Sequence, residues 1–413
     1  MSKIIYRAVL IVVFITVLLS IIAFARGYRL NLSKKTLDST GILVASSYPD
    51  GAKILIDGDL HGATNSNIAL PPGTYSLKIE KDGFSAWKKE LTIKGELVIK
   101  ADALLFPQNP SLSPITALGV VQAFTSPDHD SVIVLTQNTS EEKDGVYLLE
   151  TSRGPLSITN PLRLLVQKTA FLQEFDFDDV DITFSPTDKE ILLDIYDPAT
   201  ERIIASYLID TDKTESTPFT VTQSRNNITD AWDTQRAENL AKQLETFDKP
   251  LPKLAQDSFD IIGISANSEK ILYVAKQDAA IPLIIDPPLI ATNQTPQVRD
   301  IKQGNLYVYD AEEDKNYEIK DLEKPLNSEL SRQKGEQTIF NSIFWYPDSM
   351  HVVIKEDKQI SVVDYDGTNR RAVYSGPFEQ NFVTVSSDGK LVVLANLNPQ
   401  SNDLPDAYAV GIR

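Results

Sequence analysis

The chain has 413 residues, about two or three domains at roughly 150 residues each, and its 42% hydrophobic and 23% charged content excludes general disorder. A net charge of −17 repels phosphate backbones and argues against nucleic acid as a partner. The absence of Cys removes disulfides, thiol nucleophiles, Fe–S clusters and the common zinc sites, and nothing in the composition calls for a cofactor.

The N-terminal segment has the opposite charge. Residues 1–36 hold six basic side chains, Lys3, Arg7, Arg26, Arg29, Lys34 and Lys35, and no acid. Between them, Ala8 to Ala25 is uncharged, and only Thr16 and Ser20 are polar. At 1.5 Å per residue its 18 residues span about 27 Å, close to the hydrocarbon thickness of a bilayer. Residues 1–30 are therefore expected to be a transmembrane anchor, with the membrane as the partner of Ala8–Ala25. The alternative is a signal cleaved after Ala25, because Ala23-Phe24-Ala25 fits an A-x-A site. The more basic C-terminal flank alone would keep the downstream domains in the cytoplasm. A lone apolar segment at an N-terminus usually exports the domains behind it, so the expected location is the extracytoplasmic face of a cell envelope. Residues 31–41 read as a linker.

From Ile42 the pattern alternates. ILVASS is followed by the turn YPDGA and by KILIDG, where Ile54 and Ile56 share one strand face and Lys53 and Leu55 the other. Asp57-Gly58 predicts a hairpin. Pro72-Gly73 predicts a turn before a strand whose Tyr75, Leu77 and Ile79 line one face, and Asp82-Gly83 predicts the next turn. Two more strands flank Gly95. Residues 42–106 resemble the PEGA domain, a small β-sandwich of bacterial surface proteins. The resemblance rests on Pro49-Asp50-Gly51-Ala52, Ile56-Asp57-Gly58, Gly62-Ala63-Thr64, Pro72-Gly73-Thr74-Tyr75 and Gly83-Phe84. Asn65 replaces the Pro of the family's G-x-T-P element. The resemblance implies an adhesion or spacer module without catalytic residues. The motif residues read as turn formers and Tyr75 and Trp87 as core, with sugar stacking by exposed aromatics the alternative.

Residues 107–413 carry 27 basic and 48 acidic side chains and contain an internal repeat. ITFSPTDKEILLDIY (from Ile182) is its clearest copy; AFTSPDHDSVIVLTQ (Ala123), GISANSEKILYVAKQ (Gly263), IFWYPDSMHVVIKED (Ile343) and VTVSSDGKLVVLANL (Val383) are related. Each predicts a strand, a Ser/Pro/Asp turn and a second strand. A third strand is read at GVYLLET, IASYLID, NLYVYDA and ISVVDYDG, and a fourth at RLLVQK, FTVTQ, NYEIK and RRAVYSG. The repeats resemble the WD-like repeat of TolB-type β-propellers, through turn residues Ser126, Pro127, Ser185, Pro186, Asp188, Pro347, Asp348, Asp366, Gly367, Asp388 and Gly389. Successive turns lie 59, 81, 80 and 40 residues apart, so only the last interval is a bare blade. A helical insertion is expected at about 229–248, capped by Thr229-Asp230, with Trp232, Leu240, Leu244 and Phe247 near one face and Lys249-Pro250 as its end. Ile281 to Gly304 reads as a long loop, either an irregular blade edge or a binding loop. The count is five blades, with six the alternative if a degenerate blade lies at 153–175 or 276–320. The fifth blade lacks a fourth strand, which a segment within Leu97–Phe106 or Ser113–Val121 would supply. The fold class is thus all-β: an N-terminal transmembrane helix, a PEGA-like sandwich and a propeller with one helical insertion.

The search for chemistry gives no catalytic, cofactor-binding or metal-ligating residue. No G-x-S-x-G, G-x-x-x-x-G-K-[ST] or G-x-G-x-x-G occurs. His61, His129 and His351 read as surface or turn residues without a local partner. Asp176, Asp178, Asp179 and Asp181 read as a solvated loop, with Ca²⁺ the alternative. Asp310 to Asp314 reads as an exposed turn. Asp194, Asp210 and Asp364 lie in or at the ends of strands, but nothing in the sequence pairs them. The expected function is non-catalytic: an anchored envelope protein whose propeller binds a protein or glycan. The alternatives are a hydrolase using two channel carboxylates about 5–10 Å apart and a passive structural surface protein.

Overall fold

The computed structural model describes residues 2–25, 28–31, 36–137, 143–151, 162–322, 342–380, 382–397, 399–400 and 403–412. Arg26, Lys34 and Lys35 of the basic flank, and residues 153–161 of one candidate extra blade, lie outside them. The described chain is mostly β and divides into two compact units. Unit 1 comprises residues 1–108 and 287–296; unit 2 comprises 109–286 and 297–413.

Unit 1 begins with helix α1 (Ser2–Ala25). Its segment Ile5–Ile22 is long and apolar enough to cross a membrane, and none of it is buried. A hairpin, β1 (Tyr28–Asn31) and β2 (Thr36–Ser39), comes next. The sandwich proper has seven strands: β3 (Gly41–Tyr48), β4 (Lys53–Ile56), β5 (Asp59–Ala63), β6 (Ser66–Leu70), β7 (Gly73–Glu80), β8 (Trp87–Ile93) and β9 (Val98–Leu104). One sheet has the order β6-β3-β9, with β3 and β9 parallel; the other is β5-β4-β7-β8. Alternation decides which side chains meet between them. Leu43, Ala45, Ile54, Ile56, Leu77, Ile79, Leu91, Ile93 and Ile99 form the core with Trp87, while Tyr75 at the strand end is only partly buried. Asn65, where the family has Pro, accepts a hydrogen bond from Ser47 N at 3.3 Å. Residues 287–296, which the sequence assigns to the propeller, count with unit 1. There the Gln294 carboxamide accepts from Thr92 N (2.6 Å) and donates to Thr92 O (3.0 Å), imitating a ladder pair on the β8 edge.

Among its described residues, unit 2 is a propeller of five four-stranded antiparallel sheets. One strand, β10 (Ser111–Pro114), precedes the first blade. Blade 1 holds β11 (Val120–Thr125), β12 (Ser131–Thr136), β13 (Gly145–Glu150) and β14 (Leu162–Gln167). Blade 2 holds β15 (Val180–Phe184), β16 (Glu190–Tyr196), β17 (Ile203–Asp210) and the two-residue β18 (Phe219–Thr220). Helices α2 (Arg225–Leu244) and α3 (Leu251–Ser258) come next. Blade 3 holds β19 (Phe259–Ile264), β20 (Lys270–Ala275), β23 (Leu306–Asp310) and β24 (Lys315–Ile319). Between its second and third strands, β21 (Ala279–Ala280) pairs with β22 (Asp300–Ile301) and pinches the base of the long loop. Blade 4 holds β25 (Ile343–Trp345), β26 (His351–Lys355), β27 (Ile360–Asp364) and β28 (Arg371–Tyr374). At its Asp366-Gly367 turn, Gly367 has φ +79°, and a Cβ there would come within 2.6 Å of Glu318 O. Blade 5 holds β29 (Val383–Val385), β30 (Leu391–Ala395) and β31 (Asp406–Gly411), and β10 is its fourth strand.

The helical insertion differs from its sequence reading. It starts at Arg225 instead of Thr229, because Asn226 and Asn227 are weak helix formers that hide the first turn. It also ends at Leu244, short of the expected Lys249-Pro250, and is followed by a second helix whose N-cap is Pro250 and whose first turn tolerates Pro252 because an N–H there has no intrahelical partner. These helices fill a place in the ring. Ile191, Leu193 and Ile195 of β16 pack with blade 1. The opposite face, Leu192 and Leu208, packs on Trp232 of α2. Blade 3 presents Ile271, Tyr273 and Tyr307 to Leu244, Leu251 and Ala255 of the helices, and its other face, Leu272, Val274 and Val308, to blade 4. The helical pair therefore occupies the sector between blades 2 and 3.

Asp406 holds the β10 junction. Its Oδ1 accepts from Thr116 Oγ1 (2.9 Å), Leu118 N (3.0 Å) and Gly119 N (3.1 Å). Removing the acceptor leaves two part-buried amide donors unmet. Asp406→Ala is expected to destabilise the protein by about 2–3 kcal/mol in urea unfolding, against about 0.5 kcal/mol or less for the exposed Asp403→Ala.

Candidate functional site

The repeated turn has a simple chemistry. A Ser at its start bonds the acid or amide two residues on: Ser126 Oγ to Asp128 Oδ1 (2.5 Å), Ser265 Oγ to Asn267 Oδ1 (2.7 Å), and Ser386 Oγ to Asp388. The same hydroxyl accepts the N–H that opens the second strand, as at Ser131, Glu190 and Lys390. Pro127, Pro186 and Pro347 sit at turn position two, and Asp348 accepts from Met350 N and His351 N. Thr368 bonds Asp366, and Gly389 O accepts the Tyr346 hydroxyl at 2.8 Å. The blade-turn residues are thus structural. In unit 1, Gly51, Gly58, Gly62 and Gly83 have positive φ. Asp57 Oδ1 accepts Ser76 N, Ala52 N donates to Thr64 Oγ1, and Tyr75 OH donates to Pro71 O, so Pro49, Pro72 and Gly73 lie in a framework of turns.

First strands of different blades meet at the propeller axis. Trp345 Nε1 donates to Gly263 O (3.1 Å), Thr125 Oγ1 bonds Thr384 Oγ1 (3.0 Å), and the His129 ring stacks on Phe344 at 4.3 Å. The axis is filled with side chains at the turn end. At the other end, where the first strands begin, a cavity of about 420 Å³ opens between blades 1 and 2. Gln122 and Phe124 of β11 form one wall; Asp178, Asp179, Val180 and Asp181 form the next; Tyr196, Asp197, Pro198 and Glu201 close it. Gln122 is fixed by bonds from its Nε2 to Phe177 O and Asp178 O, both 2.9 Å. The lining has five carboxylates, two aromatic rings and no Lys, Arg or His. Hydrogen bonds from Thr200 hold Asp197 below the usual carboxylate range. Burial first, then the charges of Asp181 and Asp194, push the Tyr196 hydroxyl up, so it stays a neutral donor. Such a cleft suits a cationic group stacked on an aromatic ring. Among the described residues no group of three or more His, Asp or Glu could hold a metal ion. The cleft draws on three segments, and only Asp178, Asp179 and Asp181 stood out in the sequence. Gln122 and Phe124 carried one signal, their alternation on the first strand.

A second group of charges lies at the filled end. Asp128 and Asp130 of the β11–β12 turn lie near Asp188 of the β15–β16 turn and Arg236 of α2, while His129 of the same turn stacks on Phe344. Burial lowers His129 to about 4, against the pull of Asp128, and its Nδ1 meets Thr384 Oγ1 at 2.9 Å.

The remaining acids are structural. Asp194 accepts Arg225 Nε (2.8 Å) and Ser206 Oγ (2.6 Å), and Asp210 pairs with Lys213. Asp310 and Asp314 are buried, contrary to the exposed-turn reading, because their partners are remote in sequence: Asp310 faces Lys270 at 3.5 Å, and Asp314 accepts from Tyr309 OH, Ile284 N and Ile285 N. His351 is also buried, on a strand and not a surface turn, with Nδ1 2.7 Å from Asp348 and Nε2 3.3 Å from Asp364. His61 is exposed on β5.

The PEGA domain family profile matches residues 40–109. No curated protein sequence matches the chain. Similar solved structures include a TolB-like protein of Agrobacterium tumefaciens, with 13% identity over 70% of this chain and 72% of that one and a TM-score of 0.21. An auxiliary nutrient binding protein from Bacteroides thetaiotaomicron has 8% identity over 87% and 74%, with a TM-score of 0.20. Oligogalacturonate lyase from Vibrio parahaemolyticus has 9% identity over 88% and 97%, with a TM-score of 0.26. Similarity this low transfers no residue and no activity to this chain.

His351 yields a pH prediction. Burial disfavours its charged form, but the hydrogen bonds and charges of Asp348 and Asp364 override that and raise it to about 10, above the unfolded value of 6.5. The stabilisation is complete below pH 6.5 and is lost as pH rises toward 10. His351→Gln should flatten that part of the stability–pH curve, with a loss on the order of 3 kcal/mol at pH 6 read by urea unfolding.

Proposed function

We propose that this chain is a non-catalytic, membrane-anchored envelope protein whose propeller binds a protein partner through basic side chains. The observation that carries the reading is the cleft between blades 1 and 2, with five carboxylates and the rings of Phe124 and Tyr196 around about 420 Å³. Its negative charge favours a partner offering Lys or Arg over a neutral glycan, and low dielectric walls focus that field. Helix α1 supports the anchor, with Thr16 and Ser20 hydroxyls bonded to the carbonyls of Val12 and Thr16 so that neither hydroxyl is left unpaired in the lipid. The PEGA match supports an extracytoplasmic spacer between anchor and propeller.

Geometry disfavours the hydrolase alternative. Asp194 is committed to Arg225 and Ser206, Asp210 to Lys213, and Asp364 to His351.

Two measurements test the proposal. Protease added to intact cells should digest the propeller while α1 stays with the membrane; protection until lysis would place the propeller in the cytoplasm. A fluorescent Lys/Arg-rich peptide should bind the full-length protein with an affinity that falls with salt. The Asp178→Asn/Asp179→Asn double variant should lose about tenfold, from about 0.7 kcal/mol per exposed charge. Unchanged affinity in the double variant would remove the cleft as the binding site.

A further inference from the structure

We propose that the tip of the 287–296 segment is a second membrane contact of unit 1, with Leu289 and Ile290 dipping into the lipid beside α1. The inference rests on the reading of α1 as an anchor. Residues 287–291 are all exposed, Ile290 by 73% and Leu289 by 47%. Single exposed apolar residues are ordinary, but outside α1 these two are the only sequence neighbours among the described residues that are both large, apolar and exposed. No charge occurs from Pro287 to Pro296. Ala291 turns the chain at φ +62°, and Gln294 then pairs with both backbone groups of Thr92.

Thr92 lies at the end of the sandwich where the chain arrives from the anchor. Its neighbour Ile93 ends β8 against Gly41, where an added Cβ would come within 2.6 Å of Ile93 Cγ2. Glu96 N donates to Thr40 O at 3.1 Å. Ser39 pairs with Tyr28 in the β1–β2 hairpin, and Tyr28 is three residues past Ala25, the end of α1. Three residues span at most about 11 Å and a strand pair adds about 5 Å, so Ser39 lies within about 16 Å of the helix end. Ile290 is four residues, at most about 15 Å of chain, from Gln294. Chemistry then selects the lipid. Pro287 and Pro288 have no N–H, so the tip carries two fewer backbone donors that an apolar medium would leave unmet. The same lack makes it a poor partner for strand pairing with another protein. Arg26, Arg29, Lys34 and Lys35 beside the anchor attract anionic headgroups. A contact of this kind buries its apolar side chains by about 5–10 Å and lies in the interface instead of crossing the bilayer. Two attachment points, α1 and the tip, stop unit 1 from swivelling about the helix end.

The chain has no Cys, so each single-cysteine variant carries one fluorophore. The full-length protein is placed in phosphatidylcholine vesicles whose doxyl quencher sits either near the headgroup or near the chain end. A label on Ile290→Cys should lose about half of its emission to the shallow quencher and less to the deep one. A label on Val13→Cys, in the middle of α1, should show the reverse order. A label on Asp82→Cys, past the end of β7 remote from Ile93, should lose nothing. Leu289→Cys gives an independent reading if Ile290→Cys does not fold. Quenching at Val13 with none at 289 or 290 overturns the contact and leaves the anchor standing. A Val13 label that escapes both quenchers removes the anchor, and the contact with it. Emission at 290 that shifts to the blue without quenching means that protein, a second copy included, covers the tip, and that outcome also overturns the contact.

Discussion

Each propeller blade is apolar on both faces, and every one of those faces must be covered for the ring to stand. Burial shows this directly: β12, β16, β20, β26, β27 and β30 have almost no exposed residue, unlike the alternating strands of unit 1. A strand buried on both sides cannot be left at a gap. The ring meets the requirement in two irregular places. At blade 5 the chain's own upstream segment, β10, supplies the outer strand, so that closure depends on contacts between residues nearly 300 positions apart, such as Thr116 and Asp406. Between blades 2 and 3 the wide sector takes a helical pair instead of a sheet. Trp232 and Leu244 of α2 and Leu251 and Ala255 of α3 cover faces that a neighbouring blade would otherwise cover. Loop-closure entropy rises only slowly with length, so an insertion of this size is tolerated once it buries both faces.

The parts of this architecture that were legible in the sequence are the local ones. Alternation over Ile54 to Ile56 and over Tyr75 to Ile79 needs only neighbours, and both strands lie where the period places them. The blade turns were readable for the same reason, since Ser126 and Asp128 complete their hydrogen bond within three residues. The closing strand was legible in kind, because five repeats with one strand missing leave a vacancy; its bounds at Ser111–Pro114 overlap only the start of the expected Ser113–Val121, and the other expected segment, within Leu97–Phe106, belongs to β9 of the sandwich.

What the sequence hid depends on distance. His351 pairs with Asp348 three residues away, but Asp364 reaches it only through the β26–β27 ladder, where His351 lies opposite it. Asp310 reads as solvated in a run of acids, yet Lys270 stands directly across β20 and β23 in the register. A buried charge is stable only with its partner, and the partner is set by strand pairing. The candidate cleft was hidden for the same reason. Its acidic rim was visible in FDFDDVDITF, but its aromatic walls come from β11 and from the end of β16.

Charge is therefore sorted by position along the propeller axis. At the mouth, carboxylates gather around an open volume where solvent and a partner's cations can meet them. At the turn end the ring packs His129 against Phe344. Carboxylates at an open mouth can stay ionised, because water and counter-ions solvate them. The acidic cleft therefore lies where the first strands begin, and the two ends of the ring differ in how tightly side chains close around the axis.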